Sequence, residues 1–452
     1  MGLSLRPRTV DVAEVIDAAR FGSLALLVSV LTTLALIFDG FDIQAIAFAA
    51  PRLIAEWGID RAALAPILAA GLIGMFVGSL VLGVIGDRYG RRRALLWSLA
   101  LMAAASLVAA TADEPSSLAA YRFVTGLGLG GALPNAAALM MEFTPAAIRA
   151  VVVSITVVGV PIGGMLGAAI AARLVPAMGW ASIFVLGGLL PALLLLFCIW
   201  LLPESPQYLS RRPERRAELA ALLNRLLGAS RFDGSELFTS RDVHAAGRGP
   251  GPLALFGPEH RRETLMLWLI FVSNVFAVYC FFGWTPTVLT AVGLPLPIAL
   301  RGLLLFNLGG VLGAVLAAWW MSRKGSRPVL LGLVVLAIAS TFAIGQVEAT
   351  AESNLALMVL LLLAGVGISG TQVQMYTVTG SAYPAELRAT GTGWALGASR
   401  LGGVLSAYSG SAVQKLGSGL APFFNAISLV LVLTLIGVLL LRRHVPPPAQ
   451  RR

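Results

Sequence analysis

Two carboxylates three residues apart, Asp39 and Asp42, sit inside the first long apolar run of the chain, residues 24–50. The stretch reads Phe38-Asp39-Gly40-Phe41-Asp42-Ile43-Gln44. A charged side chain near the centre of a bilayer costs about 2.5–3.5 kcal/mol on insertion scales, so it is retained there for a task. On a helix, positions i and i+3 share a face, and Gly40 between them lets another backbone or a ligand come close. Two carboxylates in a low dielectric resist being ionised together, which suits a group that takes up and releases a proton beside an internal cavity. Asp39, deeper in the run, is the expected coupling residue; Asp42 organises the site with an arginine or a substrate. The alternative, a carboxylate at a helix end reaching headgroup water, is disfavoured because apolar residues continue on both sides of the pair.

Two arginines also fall in apolar runs, Arg122 and Arg400. A buried guanidinium offers a planar fork that matches a carboxylate with two parallel hydrogen bonds. Arg400 is therefore the candidate for an organic acid, against a structural pair with an aspartate of the other half. Arg122 is divided between a charge network that couples protonation to gating and a structural ion pair. Glu142, at the end of the fourth run, reads as a gate or helix-end group. Gln372, Gln374 and Tyr376, with Asn135, Asn274 and Tyr279, could hydrogen-bond substrate hydroxyls, or could stitch membrane helices together. Phe41, Trp284 and Trp394 could stack on an aromatic ring, or could be packing and interface residues.

Enzyme chemistry is poorly served. Gly126-x-Gly128-x-x-Gly131 matches a dinucleotide pattern, but no strand precedes it and an apolar helix contains it. Gly367-Ile-Ser369-Gly370 resembles an intramembrane serine nucleophile, yet His244, His260 and His444 all lie in polar segments, so no base is at hand. Cys198 and Cys280 form neither a ligand-spaced pair nor a disulfide framework. The chain is expected to be no enzyme and to use no cofactor, with protons as its coupling ion.

These groups need membrane helices to position them. Of 452 residues, 58% are hydrophobic and 12% charged, far more apolar than a soluble domain. At about 20 residues per span, twelve runs are long enough to cross. They divide the chain into a segment at 1–20, a six-helix unit at 21–202, a polar loop at 203–262, a second six-helix unit at 263–441 and a tail at 442–452. The net charge of +11 reflects arginines between the runs, so topology accounts for it better than nucleic acid. Arg88, Arg91 to Arg93, Arg149, the 203–262 loop, Arg323, Arg327, Arg388 and the tail all fall on one side. The positive-inside rule puts that side, with both termini, in the cytoplasm.

The halves repeat. Pro145-Ala-Ala-Ile-Arg149-Ala150 echoes Pro384-Ala-Glu-Leu-Arg388-Ala389. Gly126, Gly128 and Gly131 align with Gly365, Gly367 and Gly370, and Asn135 aligns with Gln374. At a slightly smaller offset, Arg88, Gly90 and Arg92 align with Arg323, Gly325 and Arg327. A parallel repeat of this kind places a binding site between the halves, near the midplane.

Gly83-Val-Ile-Gly86-Asp87-Arg88-Tyr-Gly90-Arg91-Arg92, Tyr121-Arg122-Phe-Val-Thr-Gly126 and Pro203-Glu-Ser-Pro206 resemble signatures of the major facilitator superfamily. The segment ending Val15-Ile-Asp17, Asp39-Gly-Phe-Asp42 with Pro51 after it, Trp284-Thr-Pro286 and Tyr383-Pro-Ala-Glu-Leu-Arg388 are similar to its aromatic acid:proton symporter family. The resemblance implies an all-α membrane protein of twelve transmembrane helices in two pseudo-symmetric six-helix bundles. It implies proton coupling through Asp39 and Asp42, and substrate contact by Arg400 with Gln374, Tyr279 and Trp284. A gating network would comprise Arg122, Glu142, Asp87, Arg88, Arg92 and Arg388. The expected protein is a monomer in the bacterial inner membrane that imports a benzoate- or hydroxybenzoate-like anion with protons. Another organic anion symporter, a drug/proton antiporter and a non-transporting receptor are the alternatives. One departure stands out: Ser322 replaces the acidic residue expected opposite Asp87, which puts the symmetry of the gate in question.

Overall fold

The computed structural model describes residues 9–239, 251–348, 354–414 and 419–446. Six long helices form the first half: α2 (Ser23–Trp57), α3 (Leu64–Tyr89), α4 (Arg91–Ala109), α5 (Pro115–Phe143), α6 (Ala146–Met178) and α7 (Ala181–Leu201). Six more form the second: α10 (Arg261–Ala291), α11 (Leu296–Lys324), α12 (Ser326–Gln346), α13 (Asn354–Ala382), α14 (Ala385–Gln414) and α15 (Ala421–Leu440). Among the described residues, eleven of these helices are long and apolar enough to cross a membrane. The twelfth, α14, is as long but diluted by Gly, Ser and Thr, and it carries Arg400. The first apolar run was expected to stop before Pro51, yet α2 continues through it to Trp57. Membrane helices tolerate an internal proline where neighbouring groups satisfy the freed carbonyl.

The polar segments are ordered in part. Between the halves lie α8 (Pro206–Ser210) and α9 (Arg216–Leu227), and α1 (Val12–Ala18) precedes the first long helix. Strand β1 (Thr9–Asp11) pairs in parallel with β2 (Leu237–Thr239), a small departure from an all-α chain. Val12, Ile16, Leu223 and Phe238 bury themselves in the core of the first half.

Glycine contacts repeat with the sequence. A Cβ on Gly74 or Gly78 of α3 would strike the carbonyls of Phe123 or Leu127 of α5. Adding 235 to the α3 numbers and 239 to the α5 numbers gives Gly309 and Gly313 of α11 against Leu362 and Val366 of α13, and those contacts are present too. Small residues let membrane helices approach backbone to backbone, so packing sets these pairs. Gly90 and Gly325, equivalent in the repeat, both take positive φ (110° and 78°) at the starts of α4 and α12, a conformation that favours glycine.

The two ends of the bundle differ. At the end opposite the termini, one apolar cluster joins Phe41, Phe48, Leu53 and Phe184 of the first half to Phe281, Leu303, Phe306 and Phe423 of the second. At the end bearing the termini, the apolar clusters are separate: Leu95, Phe143 and Leu223 belong to one half, and Phe271, Val378 and Leu387 to the other. The halves are thus closed against each other at the far end and parted at the terminal end.

Candidate functional site

Helix α2 carries both aspartates, and Gly40 between them lies directly against the Val160 backbone of α6 in the same half. Their surroundings differ. Asp42 is fully buried and saturated: Arg122 Nη1 of α5 donates to its Oδ1 at 2.5 Å, and the Ser106 hydroxyl of α4 donates to its Oδ2 at 2.5 Å. Arg122 Nη2 also reaches the Asp42 carbonyl at 3.0 Å, and its guanidinium lies 5.9 Å from the Phe184 ring centroid. Asp42 is therefore part of a closed charge cluster within the first half. Asp39 is equally buried, at 2% exposure, but its Oδ1 has no hydrogen-bond partner among the described residues. The cation acting on it is Arg400 of α14, from the opposite half. Arg400 keeps partial exposure where the halves part. The site so built holds one neutralised ion pair and, facing it, one acid and one arginine contributed by different halves.

A small cavity of about 30 Å³ lies beside this group, lined by Gly71, Met75 and Arg122 from the first half and Tyr279, Trp284 and Ser406 from the second. Trp284 is buried, and its indole N–H is already used, donating to the Ser406 carbonyl at 3.1 Å. Gln374 donates to the Ala314 carbonyl at 3.1 Å, and its repeat partner Asn135 donates to the Leu82 carbonyl at 3.2 Å. Both thus tie helices within their own halves. Asn274 bonds Gln372 at 2.9 Å. Trp394 shares an exposed stripe with Leu401, Leu405 and Tyr408 on α14, and its ring stacks on Trp268.

The gating candidates cluster at the terminal end. Asp87 pairs with Arg91, and the Ser205 hydroxyl bonds Glu142. Arg92 spans from α4 to the end of α7, donating to the Leu202 and Ile199 carbonyls at 2.7 and 2.6 Å, while its backbone N–H meets Glu204 at 3.0 Å. Cations at a helix C-terminus are favoured by the dipole. The Arg88 carbonyl accepts from Arg212, and Arg388 is exposed. In the second half, Ser322 bonds its own helix at the Trp319 carbonyl, and the tail contacts the start of α12. Val445 and Ser326 exchange backbone and hydroxyl bonds at 3.0 and 2.9 Å, and His444 Nδ1 sits 3.2 Å from the Ser326 hydroxyl.

Sequence reasoning missed Ser106, and also Gln44 and Asn307, which meet across the seam. All three are uncharged, and isolated polar residues are common in membrane helices, so composition alone gives no signal for them.

A two-half bundle with buried charges at its seam defines a membrane transporter. The chain belongs to the Major Facilitator Superfamily, whose model matches residues 32–407 and again 303–452. It is 36% identical to a gallate transporter of Pseudomonas putida, over 93% of this chain and 92% of that one. It is also 36% identical to the 4-hydroxybenzoate transporter PcaK of Pseudomonas aeruginosa, over 95% of each, and 28% identical to a benzoate transport protein of Acinetobacter baylyi, over 98% and 95%. Among solved structures, a D-xylose-proton symporter shares the fold at a TM-score of 0.71 and 18% identity, over 94% of this chain and 99% of that one. The xylose transporter XylE of E. coli in an inward-open form does so at 0.74 and 17%, over 94% and 98%.

Proposed function

We propose that this chain imports small aromatic carboxylates of the benzoate and hydroxybenzoate type together with protons, by alternating access. The observation that carries the reading is Asp39, buried with an oxygen that has no hydrogen-bond partner among the described residues, with Arg400 of the opposite half as the cation acting on it. An incoming carboxylate competes with Asp39 for the guanidinium fork. Once the substrate takes Arg400, Asp39 is left without a counter-charge in an apolar setting, and a proton neutralises it at least cost. Substrate and proton are thereby bound together without any contact between them. Asp42, held by Arg122 and Ser106, keeps its charge compensated throughout and fixes α2 against α5. Relatives that carry gallate, 4-hydroxybenzoate and benzoate support the substrate class.

In this reading the terminal end is cytoplasmic, by its arginines, and the structure is the state open inward. The membrane is the bacterial inner membrane. One proton with one monoanion moves no net charge, so the pH gradient drives uptake; each further proton adds about 2.3 kcal/mol per 100 mV. The test is accumulation against counterflow, the exchange of labelled for unlabelled substrate. Asp39→Asn abolishes accumulation and retains counterflow. An Asp39→Asn protein that still accumulates substrate and still alkalinises the medium moves the proton site elsewhere, with Glu142 next.

A further inference from the structure

Gln44 of α2 and Asn307 of α11 bond each other reciprocally across the seam. Gln44 Nε2 donates to Asn307 Oδ1 at 3.1 Å, and Asn307 Nδ2 donates back to Gln44 Oε1 at 2.9 Å. Asn307 Nδ2 also bonds the Leu303 carbonyl of its own helix at 2.9 Å. The two side chains are 0% and 1% exposed. Gly164 of α6 makes the room: a Cβ there would strike the Gln44 amide and come within 2.7 Å of Asn307 Oδ1. Three helices from both halves are therefore built around one pair of amides.

Their position gives the pair a task. Phe41, Ala45 and Phe48 on one side and Leu303 and Phe306 on the other place it within the apolar cluster that closes the far end. Opening that end must pull α2 from α11, because the pair belongs to different halves. Apolar contacts there slide and re-form with lipid or with other side chains. Two amides do not, since each loses a donor and an acceptor that only water or a ligand can replace. We propose that Gln44 and Asn307 are the latch of the far gate: positioning residues that set how much of the protein is open to the far side. This rests on the alternating-access reading above.

The test needs no substrate, so its outcome is separate from the choice of cargo, which uptake assays decide. Leu68, on α3 against Gly283 of α10, reports opening of the far end when changed to cysteine; Tyr376, 38% exposed, reports the terminal end. The native thiols Cys198 and Cys280 are buried. A membrane-impermeant maleimide is added to vesicles of each orientation carrying the full-length protein. In the Leu68→Cys background, Gln44→Met or Asn307→Leu raises labelling from the far face about tenfold, as leaving a buried amide unpaired predicts. In the Tyr376→Cys background, the same changes lower labelling from the other face. The exchange Gln44→Asn with Asn307→Gln, which keeps an amide on each helix, stays near the parent rates. Unchanged labelling in both single variants overturns the proposal. So does a rise at both reporters together, which marks a loosened fold, or an exchanged pair that labels as fast as the single variants.

Discussion

The Asp42–Arg122 pair is the interaction whose removal should be felt most. Its side chains are 1% and 3% exposed, and the N–O distance is 2.5 Å. Removing one partner of such a pair strands a charge in a dry site, at about 3–5 kcal/mol. Arg122→Gln leaves the Asp42 carboxylate with the Ser106 hydroxyl alone, so it belongs in that range. The lost contact with Phe184, at 5.9 Å from the ring centroid, adds about 1–2 kcal/mol in a desolvated site. Asp42→Asn strands the guanidinium instead and should cost a similar amount. The double variant has no stranded charge, so it should be more stable than the sum of the two losses predicts, by about 2–3 kcal/mol. The assay is reversible unfolding in mixed micelles with increasing SDS, fitted for all four proteins. A loss below about 1 kcal/mol in either single variant would show the site to be wet. Strict additivity would show that the two groups do not act as a pair.

Two further outcomes follow from other parts of the molecule. Arg400→Lys keeps the charge but loses the fork, so binding of an aromatic carboxylate to the purified protein should fall at least about tenfold; near-normal affinity would place the carboxylate elsewhere. Burial, aided by the charge of Arg327, holds the His444 imidazole below its ordinary value of 6.5. The folded tail therefore favours the neutral ring: its docking on Ser326 is complete above the ordinary value and is lost as pH falls through the lower folded one. Protection from hydrogen exchange at residues 442–445, taken relative to the intrinsic rate at each pH, should fall as pH drops below the ordinary value of 6.5 in the parent and show no such fall in His444→Gln; constant protection in the parent would contradict the assignment.

The charges in this fold were legible because an ionised group inside an apolar run has no cheap explanation. Asp39, Asp42, Arg122 and Arg400 stood out on that ground, and the repeat predicted two halves with a seam between them. Which acid faces which arginine was not legible. The choice depends on the rotation of α2 about its axis, set by Gly40 against the Val160 backbone and by Gly163 against the Ile37 backbone, contacts that involve no polar side chain. The same limit applies to the tryptophans. Spacing in the sequence does not tell that Trp284 is fully buried with its N–H engaged, or that Trp394 lies on an exposed stripe. Nor does any motif mark His444 and Val445, the tail residues that meet Ser326 one turn beyond Ser322.

Uptake of a panel of labelled aromatic acids into vesicles, with the exterior more acidic than the lumen and with or without an uncoupler, tests the central claim most directly. The account predicts that benzoate- or hydroxybenzoate-like anions accumulate, that ring analogues without a carboxylate neither accumulate nor compete, and that the uncoupler abolishes accumulation. Accumulation that persists at full rate with the uncoupler present, or a panel in which no aromatic carboxylate is taken up, would contradict it.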